Sequence, residues 1–262
     1  MTGAATALAE ATLWIVDLDG VLWLAGAPIG DAAGTITTLR DHGVRVVFAT
    51  NNSAPTSAEF HARLDRIGID APPEDVVSSA KVMASLLEPG ERVHLLAEGG
   101  AREALGERGV VITDDGPFDA AVVGWSRSFD FASLAAVSTV ARETGRLIAT
   151  NSDPTHPTPE GLMPGSGALL AAVATASGVE PLVAGKPNPP MVEFIRRHLL
   201  VDGIGAVMVG DQPGTDGLLA QRLGIPFALV DSGVTPPGTE VDSCPVTVRS
   251  QDLPTLVEQA FS

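Results

Sequence analysis

Short apolar runs alternate with helical patterns almost from end to end of this chain, and most of the runs stop at a polar residue. That alternation confines the fold to α/β architecture with a largely parallel sheet, because parallel neighbours need a crossover that a helix usually supplies. Predicted strands fall near residues 13–16, 44–50, 93–96, 120–123, 147–150, 182–186, 206–211, 227–230 and 246–248. Helical patterns lie between them, notably near 32–42, 56–68, 169–176, 191–200, 216–223 and 252–260. Thr56 and Glu59 have capping-box spacing. Residues 154–167, rich in Pro and Gly, read as a loop.

Where the strands stop is where the chemistry concentrates. Leu13-Trp14-Ile15-Val16 runs into Asp17-Leu18-Asp19-Gly20. Two carboxylates so close repel each other unless a cation is shared or one acid keeps a proton. The plainer alternative is an acidic turn, since Asp and Gly are ordinary turn residues. The next run ends in Thr50-Asn51-Asn52-Ser53, where a hydroxyl and backbone N–H groups could hold a phosphate oxygen, or the asparagines could simply make side-chain turns. A third ends in Ala184-Gly185-Lys186-Pro187. This is no P-loop, because Pro187 stands where Ser or Thr is required and the upstream glycine is absent. The fourth reads Gly210-Asp211-Gln212-Pro213-Gly214-Thr215-Asp216, with Asp216 placed to cap a helix. If all four strands lie in one parallel sheet, their ends share one edge, and that is where ligands bind in such folds. Hard carboxylates there suit Mg²⁺ together with substrate phosphate oxygens, and a lysine adds positive charge. The set points to phosphoryl transfer to an aspartate.

Composition bounds the partners. With 262 residues the chain can bury a large core in one domain or two. Hydrophobic residues make up 45% and charged residues 18%, which is a globular balance. The formal charge of −16 argues against nucleic acid but leaves room for a small phosphorylated metabolite. One cysteine, Cys244, excludes an intramolecular disulfide and a multi-cysteine zinc site. Residues 1–11 do not resemble a secretory signal, and no apolar run approaches the roughly 20 residues that span a bilayer, so a cytoplasmic protein without membrane contact is expected.

The four motifs, in order, resemble those of the haloacid dehalogenase-like phosphatases, and most of all the NagD-like, 4-nitrophenylphosphatase subfamily. Ala149-Thr150-Asn151-Ser152-Asp153 and Pro164-Gly165-Ser166-Gly167-Ala168-Leu169 are similar to that subfamily's cap signature. The resemblance implies a Rossmann-like parallel-sheet core of residues 1–80 and 184–262, with an α/β cap inserted at 81–183. It makes Asp17 the nucleophile and Asp19 the general acid/base. Thr50, Asn51, Asn52 and Lys186 then hold and neutralise the phosphate. Asp17, Asp211 and the backbone carbonyl of Asp19 bind Mg²⁺, and Asp216 supports them from behind. In the cap, Asn151, Asp153 and His156 would meet the leaving group. Two positions depart from the pattern. Trp125-Ser126 follows Val122-Val123-Gly124 where many relatives soon have an acid, and Gly217 replaces a usual isoleucine.

The implied activity is Mg²⁺-dependent hydrolysis of a small phosphomonoester: a sugar phosphate, glycerol phosphate, nucleotide monophosphate or pyridoxal phosphate. A hydrolase of another bond, such as carbon–halogen, is one rival; displacing halide needs no proton donor, so Asp19 speaks against it. A non-catalytic phosphate-binding protein is another, opposed by the filled catalytic positions. The oligomeric state is open, with a homodimer among the options.

Overall fold

The structure, a computed structural model, describes residues 3–158, 161–200 and 205–262. The chain divides into two compact units, one of Met1–Thr50, His61–Val77 and Val192–Ser262, the other of Asn51–Phe60 and Ser78–Met191.

The first unit is built on a six-stranded sheet. Its order is Val248–Ser250, Phe227–Val230, Ala206–Gly210, Leu13–Val16, Arg45–Thr50 and Val76–Ser78. Leu13–Val16 pairs in parallel with Ala206–Gly210 on one side and Arg45–Thr50 on the other. From Leu13–Val16 the chain steps outward through Arg45–Thr50. It later returns beside its starting strand and steps outward in the opposite direction. The order thus reverses between Leu13–Val16 and Ala206–Gly210, which opens the crevice used for ligands in doubly wound folds. These two strands are buried throughout, as a sheet covered on both faces requires. Helix Ala32–Asp41 starts where the Asp31 carboxylate accepts from Gly34 N–H at 2.9 Å, and Asp252 caps Leu253–Phe261 in the same way. Such caps contribute about 1 kcal/mol each.

The second unit carries a five-stranded sheet of order Pro181–Val183, Leu147–Ala149, Ala120–Val123, Arg92–Leu96 and Val111–Ile112, parallel at every pairing. Val123, Leu147, Leu170 and Val173 are among the residues of its apolar core, with Val137 and Val140 of helix Phe131–Thr144. The expected capping box is formed: Thr56 N–H donates to Glu59 at 2.8 Å, and Glu59 N–H to the Thr56 hydroxyl at 3.2 Å.

Three expectations need correction. The stretch expected to be a loop contains an antiparallel hairpin, Thr155–Thr158 with Gly161–Pro164. Pro157, Gly161 and Pro164 fall within the two strands, and residues that strand interiors seldom hold hid the pairing. Asp216 caps no helix. It is fully buried inside a π-helical turn, Pro213–Gly217, and its carboxylate accepts from Gln212 N–H at 3.2 Å. Finally, Lys186 does not follow a strand of the first sheet, because Pro181–Val183 pairs with Leu147–Ala149 in the second. An apolar run does not say which of two parallel sheets it will join.

Candidate active site

Three of the four strand ends converge within the first unit. Val16 and Val209 are register partners, as are Val16 and Phe48, so Asp17, Asp211 and Thr50 emerge from adjacent strands on one sheet edge. Asp17 continues the ladder by donating its N–H to Val209 O at 2.9 Å. Its carboxylate accepts from Leu18 N–H at 2.8 Å. Each of Asp17, Asp211 and Asp216 offers a carboxylate oxygen within 4.8 Å of the others'. At that spacing each charged pair repels by about 3–4 kcal/mol at an effective dielectric of about 20.

The surroundings are shaped for these acids. A Cβ on Gly233 would lie 1.8 Å from an Asp211 oxygen, and one on Gly20 only 2.3 Å away. A Cβ on Gly210 would meet the Asp216 carboxyl carbon at 2.3 Å. Three glycines therefore clear the space the carboxylates fill. Val234 N–H holds Asp211 at 2.7 Å, and the Ser232 hydroxyl ties Gly20 O at 2.7 Å. Buried, rigid, all-oxygen and mutually repelling, the trio fits a hard divalent cation such as Mg²⁺. The Asp19 side chain is engaged elsewhere: its Oδ1 accepts from the Trp23 indole N–H at 2.8 Å.

In the second unit the polar residues form a network around Asn51. The Asn51 amide accepts from Lys186 N–H at 2.7 Å and donates to Lys186 O at 3.1 Å, pairing with that backbone on both sides. Its Nδ2 also donates to Asp153 at 3.1 Å. The Ser79 hydroxyl and the Asn151 amide both donate to Asn51 O, at 2.6 and 2.7 Å. Both Nδ2 hydrogens of Asn51 thus have acceptors, so its side chain serves to position Lys186. Asn151 also reaches the Ser166 hydroxyl at 3.3 Å. Gly165 and Gly167 come so close to the 152–153 backbone that a Cβ on either would meet a carbonyl oxygen at 2.2–2.3 Å. The two segments of the cap signature therefore pack backbone against backbone. Asn52 turns onto Ala54 N–H at 3.2 Å.

His156 lies apart from this network, on the hairpin. Its ring meets Trp125 edge-on with centroids 5.1 Å apart, and its Nδ1 is buried without a hydrogen-bond partner. The Trp125 indole N–H donates to Pro164 O at 3.1 Å, and the Arg127 guanidinium lies 5.1 Å from the Trp125 ring centre. Sequence reasoning missed Trp23, Ser79 and Gly233, and it noted Trp125 only as a departure from the pattern. Trp23 stands four residues from Asp19, and a buried indole usually finds an acceptor for its N–H, so it was the one with a readable signal.

Comparison with known proteins bears on the same residues. Residues 14–111 match the model of the haloacid dehalogenase-like hydrolases, and residues 183–254 that of HAD-hydrolase-like domains. The chain is 38% identical over 253 residues to the D-glycerol 3-phosphate phosphatase of Mycobacterium tuberculosis, covering 92% of this chain and 70% of that one. It is 33% identical over 225 residues to the acid sugar phosphatase of Staphylococcus haemolyticus, covering 85% and 86%. The crystal structure of a 4-nitrophenylphosphatase from Thermotoga maritima superposes with a TM-score of 0.89 at 29% identity, over 97% of this chain and 99% of that one. Motif order, sheet topology and overall similarity agree: this chain belongs to the haloacid dehalogenase-like hydrolases, among their NagD-like and 4-nitrophenylphosphatase relatives.

Proposed function

We propose that the protein is a Mg²⁺-dependent phosphomonoesterase acting on small sugar or polyol phosphates through an aspartyl-phosphate on Asp17. The buried trio of Asp17, Asp211 and Asp216 at the point where strand order reverses carries this reading. The substrate class is suggested by relatives that are an acid sugar phosphatase and a D-glycerol 3-phosphate phosphatase. On this reading the second unit acts as the cap, with 81–183 as its inserted segment, and the protein works in the cytoplasm. Among the described residues no helix is long and apolar enough to cross a membrane.

An Asp17 oxygen attacks phosphorus, the bond from phosphorus to the alcohol oxygen breaks, and Asp19 gives that oxygen its proton. Asp19 then takes a proton from water, the resulting hydroxide displaces Asp17 from phosphorus, and phosphate leaves. Thr50 and the backbone N–H groups of Asn51 and Asn52 hold phosphate oxygens, and Lys186 neutralises their charge. Asp17, Asp211 and the Asp19 carbonyl, with Asp216 behind them, would hold Mg²⁺, which when bound would supply the remaining positive charge.

A panel of phosphorylated metabolites, assayed for released phosphate, tests the proposal. Turnover is expected with Mg²⁺, should vanish with EDTA, return with Mg²⁺ and be inhibited by excess Ca²⁺. Full activity after exhaustive metal removal would overturn the metal assignment. Absence of phosphate release from every ester, 4-nitrophenyl phosphate included, would overturn the activity.

A further inference from the structure

Within the first unit, Asp19 is held by a residue that none of the four motifs contains. Trp23 is 1% exposed, so its indole N–H cannot turn to water, and it donates to Asp19 Oδ1 at 2.8 Å. The ring itself is fixed from two directions. Its backbone is bound to the acid's own turn: Gly20 N–H donates to Trp23 O at 2.7 Å, and Asp19 and Trp23 form an isolated bridge. Trp23 then opens a short hairpin, Trp23–Leu24 with Ala27–Pro28, whose two turn residues Ala25 and Gly26 both have positive φ, 48° and 88°. That is the geometry of a tight hairpin turn, and it leaves the strand little freedom. On the ring face the Arg63 guanidinium carbon lies 4.5 Å from the centroid. A cation at that distance is attracted to the indole face and keeps the ring from rocking.

We propose that Trp23, steadied by Arg63, is a positioning residue for the proton transfer by Asp19. The inference rests on the reading of Asp19 as general acid/base. An indole N–H donates and does not accept. It therefore fixes Oδ1 as an acceptor and sets the plane of the carboxyl group, and the proton destined for the leaving oxygen is carried on Oδ2. As the bond from phosphorus to the leaving oxygen breaks, that proton passes from Oδ2 to the alkoxide, giving the alcohol and the Asp19 carboxylate. In the second step the same oxygen receives a proton from water. Without the indole contact Oδ1 loses the donor that sets the carboxyl plane, and the donor oxygen is less well aimed.

The test compares Trp23→Phe, Arg63→Met and Asp19→Asn with the parent enzyme in saturating Mg²⁺. Single-turnover formation of alcohol from an alkyl phosphate is set against the 4-nitrophenol burst from 4-nitrophenyl phosphate. An alkoxide needs the proton to leave, and 4-nitrophenolate hardly does. Trp23→Phe should slow the alkyl reaction by about 10- to 100-fold, the range expected of a misaimed catalytic group, with KM unchanged and the aryl burst slowed by under about threefold. Arg63→Met should act in the same direction and more weakly, and it keeps the inference testable if Trp23→Phe does not fold. Equal slowing of both substrates by Trp23→Phe or Arg63→Met, or no slowing of either, while Asp19→Asn remains selective for the alkyl ester, would overturn the role of Trp23. Equal slowing of both substrates by Asp19→Asn would instead overturn the reading of Asp19.

Discussion

The two units are built on parallel sheets whose strands end in polar residues, yet the ends differ in kind. In the first, Asp17, Asp211 and the nearby Asp216 place three carboxylates together. In the second, the ends give Gly124, Thr150 and the Gly185-Lys186 turn, with Ser53 hydrogen-bonded to Thr150 and the Asn51 amide to Lys186. A buried amide reaches full satisfaction with neighbours, as Asn51 does, and then holds a loop rigidly. Buried carboxylates of one sign cannot satisfy one another. One sheet edge therefore gathers like charge of the kind a cation would relieve, and the other is tied by amide and hydroxyl hydrogen bonds. On the proposed function, the first edge carries the chemistry and the second positions the groups around it.

The sharpest break of that contrast is at Asp17. Asp17→Asn should lower turnover of every substrate by more than about a thousandfold, as loss of a nucleophile does elsewhere. Asn151→Ala, on the other sheet, should act mainly on KM. Comparable losses of kcat from both would erase the distinction. Gly233→Ala comes next. Its Cβ would sit 1.8 Å from Asp211, so that carboxylate must move. Activity titrated with Mg²⁺ should show about 10- to 100-fold weaker metal dependence, the range for disturbing groups that orient metal ligands. An unchanged Mg²⁺ midpoint would mean that Asp211 is not held where the metal binds.

A smaller effect is expected on the hairpin of the second unit. His156→Ala should raise KM for the best substrate about fivefold, the equivalent of one hydrogen bond, and change 4-nitrophenyl phosphate turnover much less. The same change in both substrates would make His156 a packing partner of Trp125 and nothing more.

How far the sequence reached follows the same contrast. Asp17, Asp211 and Thr50 were legible because each ends a run of buried residues, and a polar residue at the end of a buried strand has few structural reasons to be there. The α/β class and most elements were legible from the same alternation. Lys186 was read correctly as a strand-end residue and assigned to the wrong sheet, since strand pairing is a long-range choice that local pattern does not encode. The network around Asn51 joins residues up to 135 positions apart in sequence, between Asn51 and Lys186. No spacing rule reaches that far. The plainer reading of Asp216 as a helix cap failed because a helix-start acid and an acid inside a π-helical turn share the same local sequence.

The smallest test concerns the other departure from the family pattern. Gly217 stands where the resemblance implies isoleucine, and the structure shows what takes the room. A Cβ on Gly217 would lie 2.2 Å from the Cys244 sulfur and 3.0 Å from the Phe227 ring. Cys244 is itself buried, its Sγ 3.7 Å from Pro213 O in the turn that carries Asp216. The two positions therefore share one volume beside the turn that carries Asp216. Gly217→Ala alone should destabilise by about 1–3 kcal/mol through overpacking. Adding Cys244→Ala should recover part of that loss, with a coupling of about 0.5–3 kcal/mol in a double-mutant cycle. Strict additivity in urea unfolding would refute the shared volume. The thiol also gives a pH signature. Burial pushes the Cys244 thiol above its ordinary value of 9.0; a hydrogen bond with Ser243 opposes the shift, and the negative charge of Asp216 adds a smaller push upward. A raised value in the folded state means that the folded protein holds this proton more tightly. The contribution is therefore fully present below the unfolded value and is lost as pH rises through the folded one. The stability difference between the parent and Cys244→Ala should stay flat from pH 6 to about 8 and shift against the parent at higher pH. A difference that does not change up to the alkaline limit of folding would mean that the thiol sits in water, not in the space Gly217 leaves.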